Sequence, residues 1–160
     1  MKYYTKTTKE TLSLAKKFAK KLKGGEVIGL IGKLGAGKTI FTKGIALGLG
    51  INKNISSPTF VLMKIYPAKS TRAKSGKAIL TESNKIKFFV HIDAYRFKNK
   101  QDLIAIGASE YFNNPQAITV IEWADKVNKI LPKKTIFIKI DYYKNFERTI
   151  RVCRRIPYSV

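Results

Sequence analysis

The chain has 160 residues, enough for one well-buried domain and short for two, so a single domain spanning 1–160 is expected. Hydrophobic residues make up 44%, yet no apolar run approaches the ~20 residues of a membrane helix, and the basic residues 1–6 lead into a polar segment rather than a signal-peptide core. The formal charge of +22, from 32 Lys plus Arg against 10 Asp plus Glu, favours polyanionic partners, but lysine far outnumbers arginine and the charges are dispersed, as on a solvated face that marks no site.

Thr7 and Glu10 form a capping box ahead of Leu12, Ala15, Phe18, Ala19 and Leu22 at helical spacing, which predicts an amphipathic first helix ending at Gly24-Gly25. Residues 26–31 then read as a buried strand and 38–49 as a helix. The loop between them fits G-x-x-x-x-G-K-[ST]: Gly32, Lys33, Leu34, Gly35, Ala36, Gly37, Lys38, Thr39. Its glycines let backbone N–H groups fold inward around phosphate oxygens, and the helix start at Thr39-Ile40 adds partial positive charge. Lys38 would reach the terminal phosphates, and the Thr39 hydroxyl would ligate Mg²⁺. The four fixed positions recur by chance in roughly 0.5% of chains this long. Gly44 and Gly48 weaken the second helix by ~1 kcal/mol each relative to Ala, so close packing on the sheet is expected there.

Ser56-Ser57-Pro58-Thr59 is a turn leading into a predicted strand over 60–66. Its hydroxyls could sense a terminal phosphate or an attacking water, or could be turn chemistry alone. Residues 67–85 are polar and basic without clear periodicity and read as a surface insertion. Strands over 86–92 and 118–121 follow, delivering Asp93 and Glu122 at their ends. An apolar strand ending in an acid is the form of the Walker B element, and two such acids with Thr39 and phosphates could complete an Mg²⁺ octahedron. His91 shares a strand face with Asp93. With no second His or Cys cluster it reads as a hydrogen-bonded structural residue, and zinc is excluded. Short helices over 101–107 and 123–130 and strands over 135–140 and 148–152, plausibly an antiparallel pair, complete the chain. Lone Cys153 cannot form an internal disulfide, in keeping with the cytoplasm.

Asn99-Lys100-Gln101-Asp102 spells N-K-x-D, the guanine-reading motif of GTPases, but no buried strand precedes it and no D-x-x-G switch follows Asp93, so the match is accidental. A small-molecule or nucleoside kinase would need an Arg-rich lid, for which 67–85 is the sole compact candidate.

Several motifs follow one another as in one family. Leu34-Gly35-Ala36-Gly37-Lys38-Thr39, Ser57-Pro58-Thr59-Phe60, His91-Ile92-Asp93-Ala94-Tyr95-Arg96, Ile106-Gly107 with Glu110-Tyr111-Phe112, and Glu122-Trp123 resemble the TsaE (YjeE) family, P-loop ATPases of bacterial tRNA threonylcarbamoyladenosine biosynthesis. The resemblance runs through almost the whole chain. It implies an α/β P-loop NTPase-like three-layer sandwich, with a mostly parallel central sheet, helices on both faces and a C-terminal antiparallel strand pair. It also implies Mg²⁺-dependent ATP hydrolysis stimulated by partners, Glu122 as metal ligand beside Thr39, and catalytic roles for Lys38, Asp93 and Thr59. The implied partners are a threonylcarbamoyl-transferring TsaD-like enzyme and its TsaB-like scaffold, with tRNA reached through the complex. Lys33 departs from the usual acidic or amide residue, and 67–85 is longer than usual. A basic RNA-binding module that holds nucleotide is the rival reading, although no RNP-like run is present.

Overall fold

A computed structural model describes residues 1–68, 86–143 and 147–154. The strands are β1 (Lys2–Thr5), β2 (Val27–Ile31), β3 (Met63–Pro67), β4 (Phe88–Asp93), β5 (Ala117–Glu122), β6 (Ile136–Tyr142) and β7 (Arg148–Cys153). They form one sheet in the order β1-β7-β6-β2-β5-β4-β3. The four central strands β6, β2, β5 and β4 run parallel, whereas β3 pairs antiparallel with β4, and β7 antiparallel with both β6 and β1. The C-terminal antiparallel pair is therefore present, inside a mixed sheet whose parallel part is its centre.

Burial explains that arrangement. All six residues of β5 are buried, as parallel strands require when both faces are covered. On one face α1 (Thr8–Ala19) and α2 (Lys38–Gly48) place Ala15, Phe41 and Ile45 over Ile28, Leu30, Ile118 and Ile138. On the other, α3 (Lys100–Ala105) and a 3-10 helix (Ala124–Ile130) set Leu103, Ala124 and Val127 against Val27, Val90, Ile92 and Ile121. Alternate residues of β2 and β4 thus serve opposite cores. The result is the three-layer α/β sandwich.

Thr7 caps α1 as expected, its side chain accepting from Glu10 N at 3.1 Å, but the reciprocal half of the capping box is displaced by one residue: Glu10 accepts from Lys6 N at 2.8 Å and not from Thr7 N. The N-K-x-D string has a local explanation. Asn99 caps α3 and Asp102 reaches back to the Asn99 backbone, a full capping box on the surface.

Three expectations need correction, and one strand has no counterpart in the sequence reading. Gly44 and Gly48 pack closely against α1, not the sheet: a Cβ at Gly44 would lie 2.5 Å from the Leu12 carbonyl oxygen and from Ala15 Cβ, and one at Gly48 2.5 Å from Ala19 Cβ. The strand predicted from residue 60 begins at Met63, because Leu62 adopts φ 62° and its N–H bonds the Pro58 carbonyl, which bends 58–62 into a turn. The helix expected over 123–130 is a 3-10 helix that begins at Ala124, since Trp123 itself is left-handed at φ 58°. Finally, residues 2–5 pair with β7 as an edge strand, although four residues without a clear alternation carry little signal alone. Apart from Pro67 and Ala68, the 67–85 insertion lies outside the described residues.

Candidate active site

Three chain segments meet at the carboxyl end of the parallel strands, the usual place for a ligand crevice in such a sheet. The loop after β2 lies beside the ends of β4 and β5, where Asp93 and Glu122 are register partners. Together with residues 57–59 they line a cavity of about 440 Å³, to which Leu34, Gly35, Gly37, Lys38, Thr39, Ile40, Thr59, Asp93 and Glu122 all contribute. Gly32, Lys33 and Ala36 belong to the same loop but do not line the cavity. Gly37 caps α2 at φ 107°, a conformation that side-chain-bearing residues rarely adopt, and thereby turns the first N–H groups of the helix toward the cavity.

Lys38 is folded onto its own loop. Its Nζ donates to the carbonyls of Gly32 at 2.7 Å and Lys33 at 2.9 Å, and lies 3.6 Å from the centroid of the Trp123 ring. Burial lowers its pKa from the ordinary lysine value, against the opposing pull of Glu122, Asp125 and Asp93. An anion entering the cavity would meet an ammonium already partly stripped of water.

The two acids have different surroundings. Glu122, 3% exposed, accepts from the Thr39 hydroxyl at 3.0 Å through Oε2, while Oε1 lies 2.8 Å from His91 Nε2. Asp93 is tethered to the 57–59 turn: Ser57 and Thr59 (2.6 Å) both donate to Oδ2, and Tyr95 N donates to Oδ1 at 3.0 Å. Burial alone would raise its pKa, but these bonds hold the carboxyl below the usual carboxylate range. Beyond the tether the chain turns outward, leaving Phe60 83% and Val61 60% exposed.

Of the residues singled out in the sequence, Leu34, Gly35, Gly37, Lys38, Thr39, Ile40, Thr59, Asp93 and Glu122 line this cavity, whereas Gly32, Lys33 and Ala36 do not, and the sequence pattern assigns Arg148 no role. His91 is, as expected, a hydrogen-bonded structural residue: it is fully buried and bonded to Glu122. Arg148 on β7 donates from Nε to the Ala36 carbonyl at 3.1 Å and so braces the loop from outside. A cation facing inward on an alternating strand was a hint at Arg148, yet only the sheet order brings β7 near the loop.

Among the described residues no group of three His, Cys, Asp or Glu could hold a metal by itself. One hydroxyl and one carboxylate 3.0 Å apart at a phosphate loop nonetheless suit Mg²⁺, which is bound through one or two carboxylates together with substrate phosphates and water. No helix among the described residues is long and apolar enough to cross a membrane.

The chain resembles known proteins over nearly its full length. It is 35% identical to the tRNA threonylcarbamoyladenosine biosynthesis protein TsaE of Bacillus subtilis, over 94% of this chain and 83% of that one. The TsaE of Treponema pallidum is 33% identical over 95% of this chain and 99% of its own. The crystal structure of YdiB from Bacillus subtilis superposes with a TM-score of 0.69 at 33% identity, covering 94% of this chain and 82% of that one. The family model for threonylcarbamoyl adenosine biosynthesis protein TsaE matches residues 5–150, and with a sheet and a phosphate loop built as described, the chain belongs to the TsaE family.

Proposed function

We propose that this protein is a Mg²⁺-dependent ATPase of the cytoplasm that supports the threonylcarbamoylation of tRNA adenosine 37. The observation that carries the reading is the convergence of Lys38, Thr39, Asp93 and Glu122 on one cavity, with Thr39 and Glu122 bonded to each other at 3.0 Å. When bound, Mg²⁺ would supply positive charge to offset the negative charge that develops on the phosphates during transfer. Thr39 and Glu122 would hold it. Backbone N–H groups of the loop from Gly35 to Ile40 would cradle the phosphates, and Lys38 would exchange its two carbonyl partners for phosphate oxygens. Asp93 and Thr59, joined at 2.6 Å, would orient water at the far side of the terminal phosphate. Among the described residues Lys38 is the one cation lining the cavity, with no second set for the phosphoryl acceptor that a kinase would hold. A TsaD-like transferase and a TsaB-like scaffold are the proposed partners, and tRNA would be reached through them.

Trp123 offers a direct test as the chain's sole tryptophan. Moving Lys38 off its ring removes a cation–π contact, so ATP with Mg²⁺ should change Trp123 emission in a saturable titration. Lys38→Ala should weaken nucleotide binding at least ~100-fold, measured by calorimetry. Equal affinity in wild type and Lys38→Ala would contradict the reading.

A further inference from the structure

The geometry points to His91 as a positioning residue that sets the orientation of Glu122 toward the metal, an inference that rests on the Mg²⁺ reading above. His91 lies on β4 opposite Val120, one diagonal step from the Asp93–Glu122 register pair, within reach of a long side chain on the neighbouring strand. Its ring is fully buried, and Nε2 meets Glu122 Oε1 at 2.8 Å. A carboxylate only accepts, so Nε2 carries the hydrogen. Nδ1 is buried and, among the described residues, has no hydrogen-bond partner.

Thr42 is the competing donor to Oε1, at 3.4 Å, but its single hydroxyl proton is better placed on the Lys38 carbonyl at 3.0 Å. His91 is thus the principal donor to Oε1. The terminal torsion of a glutamate is broad, and a free carboxylate would swing between equivalent positions. With Oε1 pinned in the sheet interior, Oε2 faces the Thr39 hydroxyl and the cavity. Leucine or phenylalanine would fill similar buried volume without leaving a polar nitrogen unpaired, so packing does not account for an imidazole here. Outer partners of this kind, which orient a ligating carboxylate, change metal affinity or activity by 10–100-fold when removed.

The experiment uses full-length protein in two measurements. First, because His91 is the only histidine, its ¹⁵N-labelled imidazole gives an unambiguous spectrum. A hydrogen on Nε2, hydrogen-bonded to a carboxylate, is expected; an Nε2 that carries no hydrogen would overturn the inference. Second, Mn²⁺ binding in the presence of a non-hydrolysable ATP analogue, read by electron paramagnetic resonance, is compared among wild type, His91→Leu and His91→Gln. His91→Leu should weaken Mn²⁺ binding about 10–100-fold with nucleotide affinity in EDTA unchanged, and His91→Gln, whose amide N–H reaches a similar point, should recover most of the loss. Wild-type Mn²⁺ affinity in His91→Leu, or equal losses in both variants, would refute the role of His91 while leaving the metal reading intact. No metal-enhanced binding by wild type would refute the metal reading and this inference with it.

Discussion

Asp93 and Glu122 stand side by side at the ends of adjacent strands, yet their hydrogen bonds assign them different work. Glu122 is shared between the interior and Thr39, whereas Asp93 holds a loop. The bonds from Ser57, Thr59 and Tyr95 favour the ionised Asp93 carboxylate, so its folded pKa lies below the ordinary value of 3.8. The sign follows: this stabilisation is present above the unfolded value and is lost as pH falls through the lower folded value. Asp93→Asn should therefore destabilise the protein at pH 7, by about 1–3 kcal/mol. Denaturant midpoints of wild type and variant should converge as pH falls through the lowered folded value. Parallel pH profiles would show that the carboxylate charge is not what the turn recognises. Both acids could be found in the sequence because each ends an apolar run. The Ser57–Asp93 contact could not, since it links positions far apart through the fold of the sheet.

At the scale of elements, the two helices on the phosphate-loop face are the closest-packed pair. Gly44 and Gly48 of α2 lie against the Leu12 and Lys16 carbonyls of α1. Alanine at either position gains up to ~1 kcal/mol in helix propensity, but it forces backbone apart at contacts of 2.5–2.7 Å. Overpacking of that kind costs about 1–3 kcal/mol. Gly44→Ala and Gly48→Ala should each lower thermal stability, read as the melting temperature; a rise at either position would mean that α1 yields freely. The position of the helices in sequence was legible from capping and periodicity. Which surface the glycines meet was not, because periodicity separates buried from exposed positions but does not say whether a helix or a sheet covers them. The 58–62 turn escaped for a related reason: Phe60, Val61 and Leu62 look like strand residues, and the tether to Asp93 overrides that propensity.

Over the whole molecule, the order β1-β7-β6-β2-β5-β4-β3 brings residues 32–39, 57–59, 93 and 122 to the carboxyl end of the central strands, while lysines are spread across the exterior. Recognition of the phosphate loop needed only a local pattern, and the family resemblance made the site set legible; the sheet order and the bracing of the loop by Arg148 required the fold. A surface with a net charge of +22 attracts RNA without selecting it. Binding of the isolated chain to tRNA should fall at least ~10-fold between 50 and 200 mM salt, measured by filter binding, with no change in ATP hydrolysis. Salt-insensitive, sequence-selective binding would favour a direct RNA-binding role instead. The central claim is Mg²⁺-dependent hydrolysis through Glu122, and it is tested most directly by ATP turnover of wild type and Glu122→Gln across a Mg²⁺ titration, alone and with the TsaD-like and TsaB-like partners. The account predicts turnover that requires Mg²⁺, rises with the partners and falls at least ~100-fold in Glu122→Gln while nucleotide still binds. Wild-type turnover in Glu122→Gln at every Mg²⁺ concentration would contradict it.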